Sequence, residues 1–429
     1  MLESFRTYSA YKDSGAAWLE KVPETWSVVR LGGEFSERRT KVSDTDFQPL
    51  SVTKRGIVPR LENAAKTNDG DNRKLVKTGD FVINSRSDRK GSSGVSPLDG
   101  SVSLINTVLE PRTIDPKYSE YLLKSHSFVE EFYRMGHGIV ADLWTTRYDE
   151  MSIISIVLPS ATEQTAIANF LDDKTEKIDR AIAIKQRQIE LLAERKQILI
   201  QNAVTRGLDP NVPMKESGVD WIGEIPAHWD VVKLFGICRF VRGNSAFAKD
   251  ELLNEGEYVA LQYGKTYKVN EVDDTYEFYV NEEFYKQSQL VNFGDVIVIS
   301  TSETIEDLGH SAIYKRDELG LIGGEQILIK PNADALDYYY AYYSSKVFSK
   351  ALRKYATGIK VFRFNIDDLK TIYTAVPAKE EQRKIVQHLS AQSKKIAQTT
   401  SSLETQIQYL KEYRASLINA AVTGKIKVI

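Results

Sequence analysis

One chain carries the same unusual phrase twice. Residues 13–31, DSGAAWLEKVPETWSVVRL, align without gaps to residues 216–234, ESGVDWIGEIPAHWDVVKL, at an offset of 203 with 8 identities in 19 positions. Ser14, Gly15, Trp18, Pro23 and Trp26 fall in register with Ser217, Gly218, Trp221, Pro226 and Trp229. A second repeat lies downstream, where residues 158–205 align to 376–423 at an offset of 218. Pro159, Glu163, Gln164, Ile167 and Leu171 match Pro377, Glu381, Gln382, Ile385 and Leu389. The offset grows by 15, so the segment between the repeats is 15 residues longer in the second copy. Those segments, 32–157 and 235–375, are dissimilar apart from a few signposts: Gly79-Asp80 against Gly294-Asp295, and Gly138-Ile139 against Gly358-Ile359. Any fold for this chain must therefore set similar frames around dissimilar inserts.

The downstream repeat has the period of a coiled-coil seam. Ile167, Leu171, Ile178, Ile189, Leu192 and Leu199 recur at steps of three and four or sums of these. Ile385, Leu389, Ile396, Leu403, Ile407, Leu410 and Leu417 repeat the pattern. These residues are expected to pack one helix on the other. Ser160 and Glu163 suit a capping box at the first helix start, and Gly207 and Gly424 suit the two ends. Each helix is then about 45 residues, or ~65–70 Å. Antiparallel pairing of two such helices gives an approximate internal two-fold axis.

The inserts read as mixed α/β, with β-rich runs at Asp80–Asn84, Asp295–Ser300 and Glu325–Lys330 and aromatic helical stretches at Lys117–Tyr133 and Asp337–Tyr355. The expected class is α+β: two mixed α/β domains separated by two long antiparallel helices forming a coiled coil, with pseudo-two-fold symmetry. The expected boundaries are 1–157 (lead-in 13–31, insert 32–157), helix 158–207, 208–375 (lead-in 216–234, insert 235–375), and helix plus tail 376–429. A chain of 429 residues is long enough for that many parts.

A search for chemistry finds little. No glycine-rich phosphate loop is present, and the five histidines are scattered without metal-ligand spacing. No catalytic residue and no metal site is expected. Gly79-Asp80 followed by Asp88-Arg89-Lys90 has the look of a metal-dependent nuclease pattern, but the matched place in the second insert has Asp295 and Glu303 without a lysine. A single cysteine, Cys238, and the missing signal peptide point to a reducing cytoplasm, and no apolar run approaches the ~20 residues of a membrane span. DNA contact is the other reading of the region after Asp80. Ser85, Arg86, Arg89, Lys90, Ser92 and Ser93 offer guanidinium groups and hydroxyls for bases and phosphates, as do Ser300, Thr301 and Ser302 in the second insert. Arg147, Lys360 and Arg363 are further candidates near the Gly-Ile signposts. Net charge is −2; insert 32–157 carries 18 basic and 18 acidic residues, and 235–375 carries 16 and 21. Neither insert holds DNA tightly by charge alone, so a basic partner protein is expected to help.

The linker Thr205–Trp229, the Leu-Pro entry before Glu163-Gln164 and the Val-Pro entry before Glu381-Gln382 carry a resemblance. In insert, helix, linker, insert, helix order, essentially the whole chain resembles the specificity subunit of type I restriction–modification systems. The resemblance implies that the inserts are target recognition domains, each reading half of a split site in double-stranded DNA. It implies that the helices fix the spacing and bind two methyltransferase subunits, which restriction subunits can join. It also implies that S-adenosylmethionine, ATP and magnesium belong to those partners, and that this chain binds no cofactor and is no enzyme. Two other readings stay open: a self-sufficient DNA-modifying or DNA-cleaving enzyme, and a coiled-coil scaffold without DNA.

Overall fold

A computed structural model describes residues 5–61, 70–139, 144–244 and 246–429. The chain divides into two compact units, Met1–Gln186 with Leu403–Ile429, and Arg187–Ser402. The long helices, Ala161–Arg206 and Lys379–Val422, are thus shared out: each unit takes a stretch of both. The sequence-based boundaries gave each helix a segment of its own. The compact units cut across the helices because each insert core closes over the start of one helix and the end of the other.

In the first unit, lead-in strands Tyr11–Asp13 and Lys21–Pro23 form an antiparallel hairpin. Strand Ser27–Arg30 pairs with Ser155–Leu158, so the insert leaves and returns through adjacent strands and then enters the first long helix. The insert holds a four-stranded antiparallel sheet in the order Ser93–Val95, Phe81–Asn84, Asn106–Pro111, Phe35–Glu37. A three-stranded sheet of Gly100–Ser103, Arg73–Val76 and Lys41–Val42 accompanies it. Sequence periodicity predicts one helix over Lys117–Tyr133. Two form instead, Pro116–Lys124 and His126–Arg134, because Ser125 takes an extended conformation (φ −62°, ψ 147°) and its Oγ accepts the Phe128 N–H to cap the second.

The second unit repeats the mounting. Met214–Glu216 pairs with Glu224–Pro226, and Asp230–Lys233 with Tyr373–Val376. Its sheets are larger: a five-stranded one (Cys238–Arg242, Gln326–Pro331, Val296–Ile299, Ser311–Tyr314, Glu271–Val272) and a four-stranded one built around Tyr258–Leu261 and Gly320–Ile322. One uninterrupted helix, Tyr338–Leu352, follows, capped by Asp337. Tyr340 within the tyrosine run is fully buried.

Helix pairing is visible inside each unit. In the first, Lys185 Nζ donates to Gln406 Oε1 at 2.6 Å, and Arg414 lies 3.5 Å from Asp179. The order of these contacts makes the two stretches antiparallel. In the second, Ile200, Ala203 and Val204 share a core with Ile385 and Leu389. Of the expected seam, Ile178, Leu403 and Ile407 are buried, while Ile189, Leu192, Leu199, Ile396 and Leu410 are half-buried. Ile167, Leu171 and Leu417 join the first insert's core, and Ile385 and Leu389 the second's, so these five serve more than helix-on-helix packing.

The twice-used phrase explains itself at the helix ends. Trp26 and Trp229 are fully buried. Gly424, with φ +74°, ends the second long helix so close to Pro23 and Trp26 that a Cβ there would sit 2.3 Å from Pro23 Cδ. Gly207, with φ +73°, ends the first long helix 3.2 Å, in the same terms, from Trp229 Cζ2. Each lead-in is the socket on which a helix end lands, and only glycine tolerates that backbone conformation at that distance.

Candidate nucleic-acid interface

The mounting is fixed by polar groups that recur in both units. Gln164 Nε2 donates to Pro159 O at 2.9 Å while its Oε1 accepts Asp115 N–H at 2.8 Å. Gln382 does the same with Pro377 O (2.9 Å) and Asp337 N–H (2.7 Å). Asp115 and Asp337 are the N-caps of the insert helices. One turn on, the Tyr118 hydroxyl reaches Val157 O and Val422 O, both at 3.4 Å. Tyr340 reaches Ala375 O (2.9 Å) and Val204 O (3.4 Å). Each hydroxyl thus bridges the returning strand of its insert to the end of a long helix. Desolvation drives both phenols well above their ordinary range.

The Gly-Asp signpost is structural as well. Asp80 is buried; it takes Arg38 in a two-pronged ion pair (2.7 and 3.0 Å) and accepts Lys77 N–H at 2.8 Å. Asp295 is held by Lys330 at 2.5 Å and accepts Asn292 N–H at 2.8 Å, and burial raises its pKa. Both carboxylates tie the turn before a central strand. Lys90 turns away to Glu130, at 2.6 Å, and lies over the Tyr133 ring. Asp80 and Lys90 are therefore occupied in separate structural pairs, which removes the motivation for the nuclease pattern.

Past the central strand of the first insert, three chain segments meet. Arg86 bridges to Thr145, His137 bridges to Thr145, and Ser87 N–H donates to Trp144 O at 2.9 Å. This brings Arg86, Arg89 and Arg147 into one loop cluster, all exposed. Ile139 stands at its tip with its whole side chain in solvent, and Trp144 is also exposed. In the second insert, Thr301–Ser302 pairs with Phe362–Arg363, and Thr357 bridges to Arg363. Lys360 and Arg363 are exposed there, with Glu325 3.9 Å from Arg363, and Ile359 is 95% exposed at the tip. Gly358 makes that tip with φ +115°.

The hydroxyl candidates do not join these clusters. Ser85, Ser92, Ser93, Ser300, Thr301 and Ser302 are all buried. Ser85 Oγ donates to Ile105 O at 2.5 Å, and Ser302 Oγ accepts Thr304 N–H at 3.2 Å. Ser93, Thr301 and Ser302 lie in strands and Ser85, Ser92 and Ser300 directly beside strand ends, so their side chains are covered by the insert rather than exposed to a ligand. Conversely, Ile139, Trp144 and Ile359 were missed. The recurring Gly-Ile pair was the available signal, but an apolar residue gives no hint from sequence alone that it will point into solvent.

Comparison with known proteins finds chains of similar sequence and fold. Residues 226–409 match the family described as type I restriction modification DNA specificity domain. The type I restriction enzyme MjaVIII specificity subunit of Methanocaldococcus jannaschii is 24% identical over 432 residues, covering 95% of this chain and 94% of that one. The HsdS subunit of Thermoanaerobacter tengcongensis has a similar fold, with TM-score 0.53 and 18% identity over 94% of this chain and 98% of the other. Over nearly its whole length the chain is similar to type I specificity subunits. A further solved structure, described as showing complex assembly and conformational transition of the type I restriction–modification system, matches this chain with TM-score 0.70 at 16% identity, over 94% of this chain and 98% of that one. Among the described residues, no helix is long and apolar enough to cross a membrane.

Proposed function

We propose that this chain reads a bipartite DNA target, one half with each insert, and holds methyltransferase subunits on its long helices. The observation that carries the reading is the pair of loop clusters: two unlike inserts, mounted on like frames, each present exposed cations and a solvent-exposed isoleucine tip. Arginine and lysine suit phosphates and guanine edges. An apolar side chain held out on a turn suits contact with a thymine methyl or a base step. A pseudo-two-fold frame of two antiparallel helices would keep the two half-sites at one spacing. On the first long helix, Ile184, Leu191 and Ile198 are exposed at seven-residue spacing, which suits an apolar helix of a partner. Methyl transfer from S-adenosylmethionine, and ATP- and magnesium-dependent restriction where it occurs, would lie in partner subunits in the cytoplasm, with this chain non-catalytic.

Methylome sequencing of cells with and without the gene tests the reading. A split adenine motif should vanish on deletion, and exchange of residues 32–157 should change one half of that motif alone. Loss of no motif, or change of both halves, would overturn the assignment.

A further inference from the structure

Beside the insert helix of the second unit lies a cleft of about 890 Å³, walled by Tyr338–Leu352 and by stretches of both long helices. The first unit has a smaller cleft of about 330 Å³ at the matched place. The correspondence is residue by residue. Gly91 and Gly309 both turn with positive φ (79° and 83°). Lys124 on the first insert helix matches Lys346 on the second, counted from N-caps Asp115 and Asp337. Arg414 and Ile418 match Lys196 and Ile200 at the repeat offset of 218.

The cations recur, but their counter-ions do not. In the first unit Lys124 has Glu120 at 3.3 Å and Arg414 has Asp179 at 3.5 Å. The positions matching Glu120 and Asp179 are Tyr342 and Ala397. Both line the second cleft. Lys346 Nζ donates to Asn270 Oδ1 at 2.8 Å and to Ser311 O, two neutral acceptors. Lys196, Lys350 and Lys394 stand around it, and among the described residues none of these four lysines has a carboxylate within ion-pair distance. Three acids also line the cleft: Glu271 is taken by Lys315 at 2.9 Å, Asp307 accepts the Thr304 hydroxyl at 2.7 Å, and Glu306 makes no ion pair with these lysines. Arg353 adds a buried Nε without a hydrogen-bond partner. Burial and then the Lys196 charge lower Lys346 to about 7, with Glu271 opposing them only in part.

We propose that this cleft is a binding site for a small phosphate-bearing anion. A phosphate dianion replaces in one group the two carboxylates that the first unit supplies from its own chain. It would bridge Lys346 of the insert to Lys196 of the long helix. A free inorganic phosphate and a nucleoside monophosphate share this chemistry.

The test uses the full chain and its Ala397→Asp variant, which restores the missing counter-ion at an exposed helical position. Thermal unfolding is followed at constant ionic strength in chloride, with added inorganic phosphate, or with added adenosine monophosphate. Isothermal titration gives stoichiometry. The wild type should bind one phosphate per chain and unfold several degrees higher with it. A shift with both ligands, or with only one of them, supports the site and identifies the source. Ala397→Asp should fold, show a raised transition without phosphate, and lose at least ten-fold in phosphate affinity. Equal phosphate effects on both proteins, or no heat and no shift with either ligand, would overturn the proposal.

Discussion

Gln164 and Gln382 show how much one side chain can hold. Each amide satisfies a proline carbonyl at a long-helix start and a backbone N–H at the insert helix cap. Replacing either by alanine orphans both groups in a buried place, and each orphan costs ~1–3 kcal/mol. Gln164→Ala and Gln382→Ala should each lower the urea midpoint by the equivalent of ~2 kcal/mol, read by circular dichroism. The Glu-Gln repeat was plain in the sequence, but its partners Asp115 and Asp337 lie some fifty residues upstream and could be found only by folding the chain. The charged tips behave differently. Arg86→Ala, Arg147→Ala or Lys360→Ala should leave stability unchanged and weaken duplex binding by the assembled complex about ten-fold, with a shallower salt dependence. Fluorescence anisotropy at several salt concentrations checks this. Cys238, whose thiol burial pushes up to about 12, should resist alkylation until the chain unfolds.

At the scale of elements, the long helices were the most legible part. A seam sustained over ten turns leaves few alternatives to a long amphipathic helix. The exposed ridge of Ile184, Leu191 and Ile198 was hidden inside that same pattern, because a second apolar stripe looks like the flank of the first. Leu191→Glu should leave the helix content of this chain intact yet abolish co-purification with a methyltransferase subunit; retention of the partner would count against that docking face. Removing matched residues from 178–196 and 396–414 should alter the spacer of the target and neither half. The inserts were legible only as to class. Their central strands and signposts stood out, but burial of Ser92 or Thr301 depends on which chain segments cover a strand end, and no local composition encodes that.

Across the whole molecule, buried phenols set the alkaline limit. Tyr8, Tyr118, Tyr340 and Tyr342 are raised well beyond the ordinary value of 10, and Tyr121, Tyr133 and Tyr276 to about 12, mainly by desolvation. An unfolded chain releases these protons near pH 10 while the native one keeps them. Stability therefore holds below pH 10 and falls as pH rises past it. Phenolate absorbance for this group should appear together with loss of near-ultraviolet dichroism, and not before it.

The division of the chain also sets an order of events at the ribosome. The unit Arg187–Ser402 is continuous, whereas the other needs Leu417, Ala421, Val422 and Gly424 against its earliest residues. Domains ordinarily fold as they emerge, first made first. Here the first insert waits with its core open until residues 417–426 are available, which follow the whole of the second unit. A released chain truncated after residue 402 should yield a protease-resistant fragment of the second unit and rapid cleavage in the first.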